Sequence, residues 1–229
     1  MTIKALIFDF DGLILDTEGP VYQSWRELFQ QYGYNMTLDD WQICIGSAEG
    51  TATFFNNVAD KLDKPLDMEA EAPKRLQREL DFIARQPILP GVKEYIQQAA
   101  KMGLKLGIAS SSPCKWVVGH LEERGLRDHF ECVLAADDVG VTKPDPTLYL
   151  TALECLGVSA HQAIAFEDSP NGVLAAKRAG LYCVAVPNPL TSQLQFKEAD
   201  LQLGSLEEMT LDELLGLIKT EKHGAQKKV

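Results

Sequence analysis

Apolar residues fall along this chain in short unbroken runs, each ending on a polar residue. Residues 3–8 (IKALIF) stop at Asp9, and residues 104–109 (LKLGIA) stop at Ser110. Residues 131–135 (ECVLA), 162–166 (QAIAF) and 181–186 (LYCVAV) have the same form. Apolar runs of this length, with no polar alternation, suit strands covered on both faces, as in a parallel sheet. Helical patterns lie between them, near 92–102, 114–124, 146–156, 170–179 and 207–218. Strand alternating with helix predicts an α/β fold with a doubly wound parallel sheet.

Residues 18–86 break that rhythm. They read as helices near 20–32, 38–44, 49–62 and 68–84 with no strand between. This predicts an all-helical cap over 18–86, inserted into a core made of 1–17 and 87–218. The polar segment 219–229 reads as a flexible tail. Three helix starts share one grammar: Ser112-Pro113, Asp145-Pro146 and Ser169-Pro170. A capping side chain followed by Pro at the first helical position is a start signal. All three lie at or after the carboxyl ends of predicted strands, the edge where open α/β sheets bind ligands.

Composition narrows the function classes. The 229 residues carry 22 basic and 33 acidic side chains, a net charge of −11, which argues against nucleic acid or an anionic membrane as partner. No apolar run approaches the roughly 18 residues of a membrane span, and Asp9 and Asp11 interrupt the N-terminal apolar stretch where a signal peptide would continue. A cytoplasmic chain is expected, with a monomer as the default. The five cysteines contain no CxxC, so neither a zinc site nor a disulfide framework is expected; buried spectator thiols are. The four histidines share no motif with other candidate ligands.

The chemistry sits where the strands end. Asp9 and Asp11 flank Phe10, and carboxylates at i and i+2 of an extended segment point the same way. A turn start alone would also use Asp and Gly. Glu167 and Asp168 end a second run; acids complementing a helix N-terminus would account for one of them, but not for four acids at one sheet edge. Carboxylates with no His or Cys beside them favour a hard cation, most simply Mg²⁺. Ser110 reads alone as a strand-end serine and Lys143, in VTKPDP, as a solvated lysine. Together the set holds a nucleophilic carboxylate, a metal site, a hydroxyl and a lysine, which are the parts phosphoryl transfer needs.

At these residues the chain resembles the haloacid dehalogenase-like hydrolases. FDFDGLILDTE looks like their first motif, Ser110 their second, Lys143 their third and FEDSPNGV their fourth. The resemblance is strongest to the phosphatases and β-phosphoglucomutase-like enzymes with a helical cap between the first two motifs. It implies a Rossmann-like core, Mg²⁺ and a covalent aspartyl phosphate. By motif, Asp9 is implied as nucleophile and metal ligand. Asp11 is implied as general acid and base, with its carbonyl on the metal. Asp168 would bind the metal, with Glu167 as ligand or partner. Ser110, Ser111 and Lys143 would hold the phosphoryl group, and Gly46 and Ser47 look like the cap loop facing the core. Asp16 and Glu18 read as hinge caps ahead of substrate contacts.

The mutase pattern has a His where this chain has Val21 and an Arg where it has Glu49. The expected activity is therefore hydrolysis of a small phosphorylated metabolite, such as a sugar phosphate or phosphoglycolate. A phosphomutase is the alternative. A haloacid dehalogenase has no need of Asp11, and a receiver-type phospho-accepting domain has no need of a helical lid.

Overall fold

The computed structural model describes residues 2–44 and 48–226, with only the backbone of 48–51 and 221–226. The elements run β1 (Ala5–Phe8), α1 (Glu18–Gln31), α2 (Leu38–Trp41), α3 (Ala48–Ala59) and α4 (Met68–Ala84). There follow α5 (Val92–Lys101), β2 (Lys105–Ala109), α6 (Cys114–Glu123), β3 (Cys132–Leu134), α7 (Ala136–Val139) and α8 (Thr147–Leu156). The chain closes with β4 (Ala163–Glu167), α9 (Pro170–Arg178), β5 (Tyr182–Ala185), β6 (Leu201–Gln202) and α10 (Leu211–Gln226). The five strands read from the apolar runs are all present. The two-residue β6 and four-residue α7 are too short to leave a periodic signal.

The chain divides into two compact units. The first comprises Met1–Ile14, Ile88–Pro187 and Leu194–Val229. Its six strands form one parallel sheet in the order β3-β2-β1-β4-β5-β6. This is an α/β, Rossmann-like fold, with β1 between β2 and β4 where the order of strands reverses. Residues of β1 alternate between faces. Ala5 and Ile7 join Leu148, Tyr149, Leu153 and Ala165 in one apolar layer. Phe8 points the other way and stacks on Phe166 at 4.8 Å between ring centroids. All four β1 residues are buried, so the uninterrupted apolar run is what a doubly covered strand demands.

The second unit comprises Leu15–Pro87 and Asn188–Gln193. The described part of 18–86 is helical, with no strand. Phe29, Met36, Trp41, Phe54 and Val58 build its core, joined by Leu190 from far along the chain. Asp67 caps α4 by accepting from the Ala70 N–H at 3.1 Å. The Arg75 guanidinium lies over the Trp25 ring at 4.4 Å and donates to Ser24 Oγ at 2.9 Å.

Three sequence expectations change. Cys132 and Cys155 form a disulfide rather than remaining spectator thiols. They are 23 residues apart in sequence, but α8 packs on β3 and brings their Cα atoms to 6.2 Å. The polar segment from Lys219 continues α10 as far as Gln226, since its Lys, Glu, Ala and Gln residues favour helix. Ser112 does not cap α6: Pro113 stands at the cap position, and the Cys114 N–H is taken by Asp137 Oδ2 at 2.8 Å. Among the described residues no helix is long and apolar enough to cross a membrane.

Candidate active site

Parallel pairing determines what meets at the carboxyl edge of the sheet. Phe8 is in register with Ile108 of β2 and Phe166 of β4, and the Asp9 N–H extends the ladder to the Phe166 carbonyl at 3.0 Å. The next residues of three adjacent strands therefore emerge side by side: Asp9, then Ser110 just past β2, then Glu167 and Asp168. All four are buried. Gly12, at φ 78°, lets the chain turn away from the sheet directly after Asp11.

Asp9, Glu167 and Asp168 each present a carboxylate oxygen within 4.8 Å of the others. Among the described residues this is the only such cluster of acids, His or Cys. Lys143 enters from the loop before α8. Its ammonium is paired with Asp9 Oδ1 and lies 2.6 Å from Glu167 Oε1, with its side chain almost wholly buried. Tyr149 of α8 donates to the same Glu167 oxygen at 2.6 Å. Burial pushes the Asp9 carboxyl up to about 8, and the neighbouring Lys143 only partly offsets this. Burial opposes charge on Lys143, yet the carboxylates of Asp9 and Glu167 outweigh it and hold the ammonium above its usual range. Burial, and then the charge of Glu167, keep the Tyr149 phenol well above its ordinary value, so it stays a donor.

One lysine does not balance three carboxylates. Two like charges about 4 Å apart repel by about 4 kcal/mol at an effective dielectric of 20. An all-oxygen donor set with excess negative charge fits a hard divalent cation such as Mg²⁺ better than a soft or nitrogen-seeking metal.

Asp11 stands to one side of this cluster. Its Oδ2 accepts from Ser112 Oγ at 2.6 Å and from Ser110 Oγ at 3.4 Å; its Oδ1 accepts from the Trp116 indole N–H at 2.9 Å. Ser110 Oγ also accepts from the Ser112 N–H at 3.0 Å. Ser111 is exposed, and its hydroxyl accepts from the Lys143 N–H at 3.2 Å, tying the lysine's loop to the end of β2.

The structure thus brings Asp9, Asp11, Ser110, Ser111, Lys143, Glu167 and Asp168 to one sheet edge. Gly46 and Ser47 lie outside the described residues. In the helical unit, Asp16 Oδ1 accepts from the Gly19 N–H at 2.8 Å, a capping role, and Glu18 accepts from Asn188 Nδ2 at 3.4 Å. Ser112, Trp116 and Tyr149 were not legible as site residues. Ser112 and Trp116 read as a helix start and its apolar face, and Tyr149 as core, and nothing in local spacing separates those readings.

The family model of haloacid dehalogenase-like hydrolases matches residues 6–186, and the chain belongs to that family. The Bacillus subtilis protein named "Putative phosphatase YhcW" is 46% identical over 219 residues, covering 96% of this chain and 99% of the relative. Hexitol phosphatase B of Escherichia coli is 31% identical over 232 residues, covering 93% and 97%. A crystal structure described as a putative β-phosphoglucomutase from Thermotoga maritima superposes with a TM-score of 0.76 at 27% identity, covering 95% and 99%. Within the family the chain falls in the phosphatase and β-phosphoglucomutase-like group, and it is a phosphatase of that group.

Proposed function

We propose that this protein is an Mg²⁺-dependent phosphatase that hydrolyses a small phosphomonoester, of sugar phosphate or phosphoglycolate type, through an aspartyl phosphate on Asp9. The observation that carries the reading is the buried cluster of Asp9, Glu167 and Asp168, with the Lys143 ammonium paired to Asp9 and Glu167 and with Asp11 two residues beyond Asp9. Asp9, Glu167 and Asp168 would hold Mg²⁺, which when bound supplies positive charge against the phosphoryl oxygens.

In this reading an Asp9 oxygen attacks phosphorus, a P–O bond to Asp9 forms, and the ester P–O bond breaks. Asp11 gives a proton to the departing alkoxide oxygen. Water then attacks the aspartyl phosphate and Asp11 takes a proton from it, which frees phosphate and restores the Asp9 carboxylate. The Lys143 ammonium offsets negative charge on the phosphoryl group, and the Ser110 hydroxyl orients it. Ser111 keeps the lysine's loop in place.

A phosphomutase is the second reading, favoured by the fold likeness to the β-phosphoglucomutase-like structure. Val21 speaks for hydrolysis. It packs against the apolar cluster of the helical unit and offers no group to hold a second phosphate.

Phosphate release from a panel of phosphomonoesters, with Mg²⁺ and after chelation, tests the proposal. Release is expected only with the metal, and Asp9→Asn is expected to abolish it. Full turnover by Asp9→Asn would overturn the mechanism. Sustained conversion of a hexose 1-phosphate into its 6-phosphate without phosphate release would establish the mutase instead.

A further inference from the structure

A general acid must be held with its proton facing the leaving oxygen. Asp11 sits past the end of β1, and its carboxylate takes its orientation from side-chain partners. Trp116, in the first turn of α6, donates its indole N–H to Oδ1, while the Ser112 and Ser110 hydroxyls donate to Oδ2. An indole N–H can donate but never accept. Oδ1 is therefore held as an acceptor by the indole, while the two serine hydroxyls hold Oδ2.

The indole is itself braced. Its ring meets His120 edge-on, with 4.3 Å between centroids and 90° between planes. The His120 ring lies parallel to that of Phe10 at 6.2 Å. Phe10 is fully buried and stands between Asp9 and Asp11 in the chain. Contacts thus run from Phe10 through His120 and Trp116 back to Asp11, a closed bracket around the residue after Phe10.

We infer that Trp116 is a positioning residue for Asp11: its indole N–H fixes the orientation of the carboxylate, and Ser112 completes the hold. The inference rests on the phosphatase reading in which Asp11 is the acid and base.

Leaving-group dependence tests it. The quantity is kcat/KM, which reports the step that breaks the ester bond. p-Nitrophenyl phosphate has a leaving group that departs with little help from an acid, whereas phenyl phosphate needs the proton. Trp116→Phe keeps the ring and removes the N–H. It is expected to lower kcat/KM on phenyl phosphate at least about tenfold more than on p-nitrophenyl phosphate, within the range that general acids contribute. Ser112→Ala is expected to shift the ratio the same way. The double variant Trp116→Phe/Asp11→Asn should show no larger ratio than Asp11→Asn alone, because both changes act through one carboxylate. An equal fall on both esters, or none, in Trp116→Phe and Ser112→Ala overturns the inference while Asp11→Asn shows the dependence. A wild-type protein that releases phosphate from neither ester, nor from any of the panel, overturns the phosphatase reading beneath it.

Discussion

Lys143 shows at the scale of one residue how charge is handled in this site. A lone lysine in a loop reads as solvated, yet here it is buried between two carboxylates that keep it charged. Removing it leaves Asp9 and Glu167 buried without their counter-charge, and breaking a buried pair in this way costs about 3–5 kcal/mol. Lys143→Ala is therefore expected to lower the thermal unfolding midpoint and to lose phosphate release. Added Mg²⁺ should recover part of the midpoint, since it would compensate the same carboxylates, but not the activity. A midpoint equal to the wild type without metal would show that the lysine is not the counter-charge. The acids and the lysine were legible because their order along the chain matches a known motif series. The partners Tyr149 and Trp116 were not, because an aromatic on an apolar helix face looks the same whether or not its polar tip has a task.

At the scale of the element, one dipeptide had two uses. Ser169-Pro170 starts α9 as its residue types predict, with Ser169 Oγ accepting from the Gly172 N–H at 3.1 Å. Ser112-Pro113 does not, because the Ser112 hydroxyl is turned toward Asp11. Gly172 carries a further constraint. A Cβ there would fall 1.9 Å from Glu167 Oε2, and that carboxylate is pinned by Lys143 and Tyr149. Alanine in a helix interior ordinarily gains about 1 kcal/mol over glycine. Here the overlap reverses the sign, so Gly172→Ala should be destabilising in urea and should impair phosphate release. A stabilised variant with full activity would show that Glu167 has room to move.

For the whole molecule, two hydrophobic cores follow from one interrupted chain. The sheet unit is assembled from three stretches of sequence and the helical unit from two. The helical core depends on aromatic packing. Phe54 is 3% exposed and meets Phe29 and Trp41 edge-on at 5.7 and 5.8 Å. Phe54→Ala is expected to cost about 3–5 kcal/mol, read as a lower denaturant midpoint. A loss under about 1 kcal/mol would mean that the cavity closes by repacking. The net charge of −11 sets no rule against an anionic substrate, since in the proposed function the attraction would be made locally by Lys143 and by a divalent ion on the oxygen cluster.

The sequence by itself determined the α/β class and the residues that end the strands. These follow from short-range physics: apolar runs of strand length, caps and turns, and charges placed where strands stop. Tertiary structure alone decided which distant residues share an oxygen. It placed Lys143 between Asp9 and Glu167, joined Cys132 to Cys155, drew Leu190 into the helical core, and set the Trp116 indole on Asp11. Each depends on which strand lies beside which and how a helix is rotated on the sheet. Local pattern records which face of an element is apolar, but not which polar atom it brings to its neighbour.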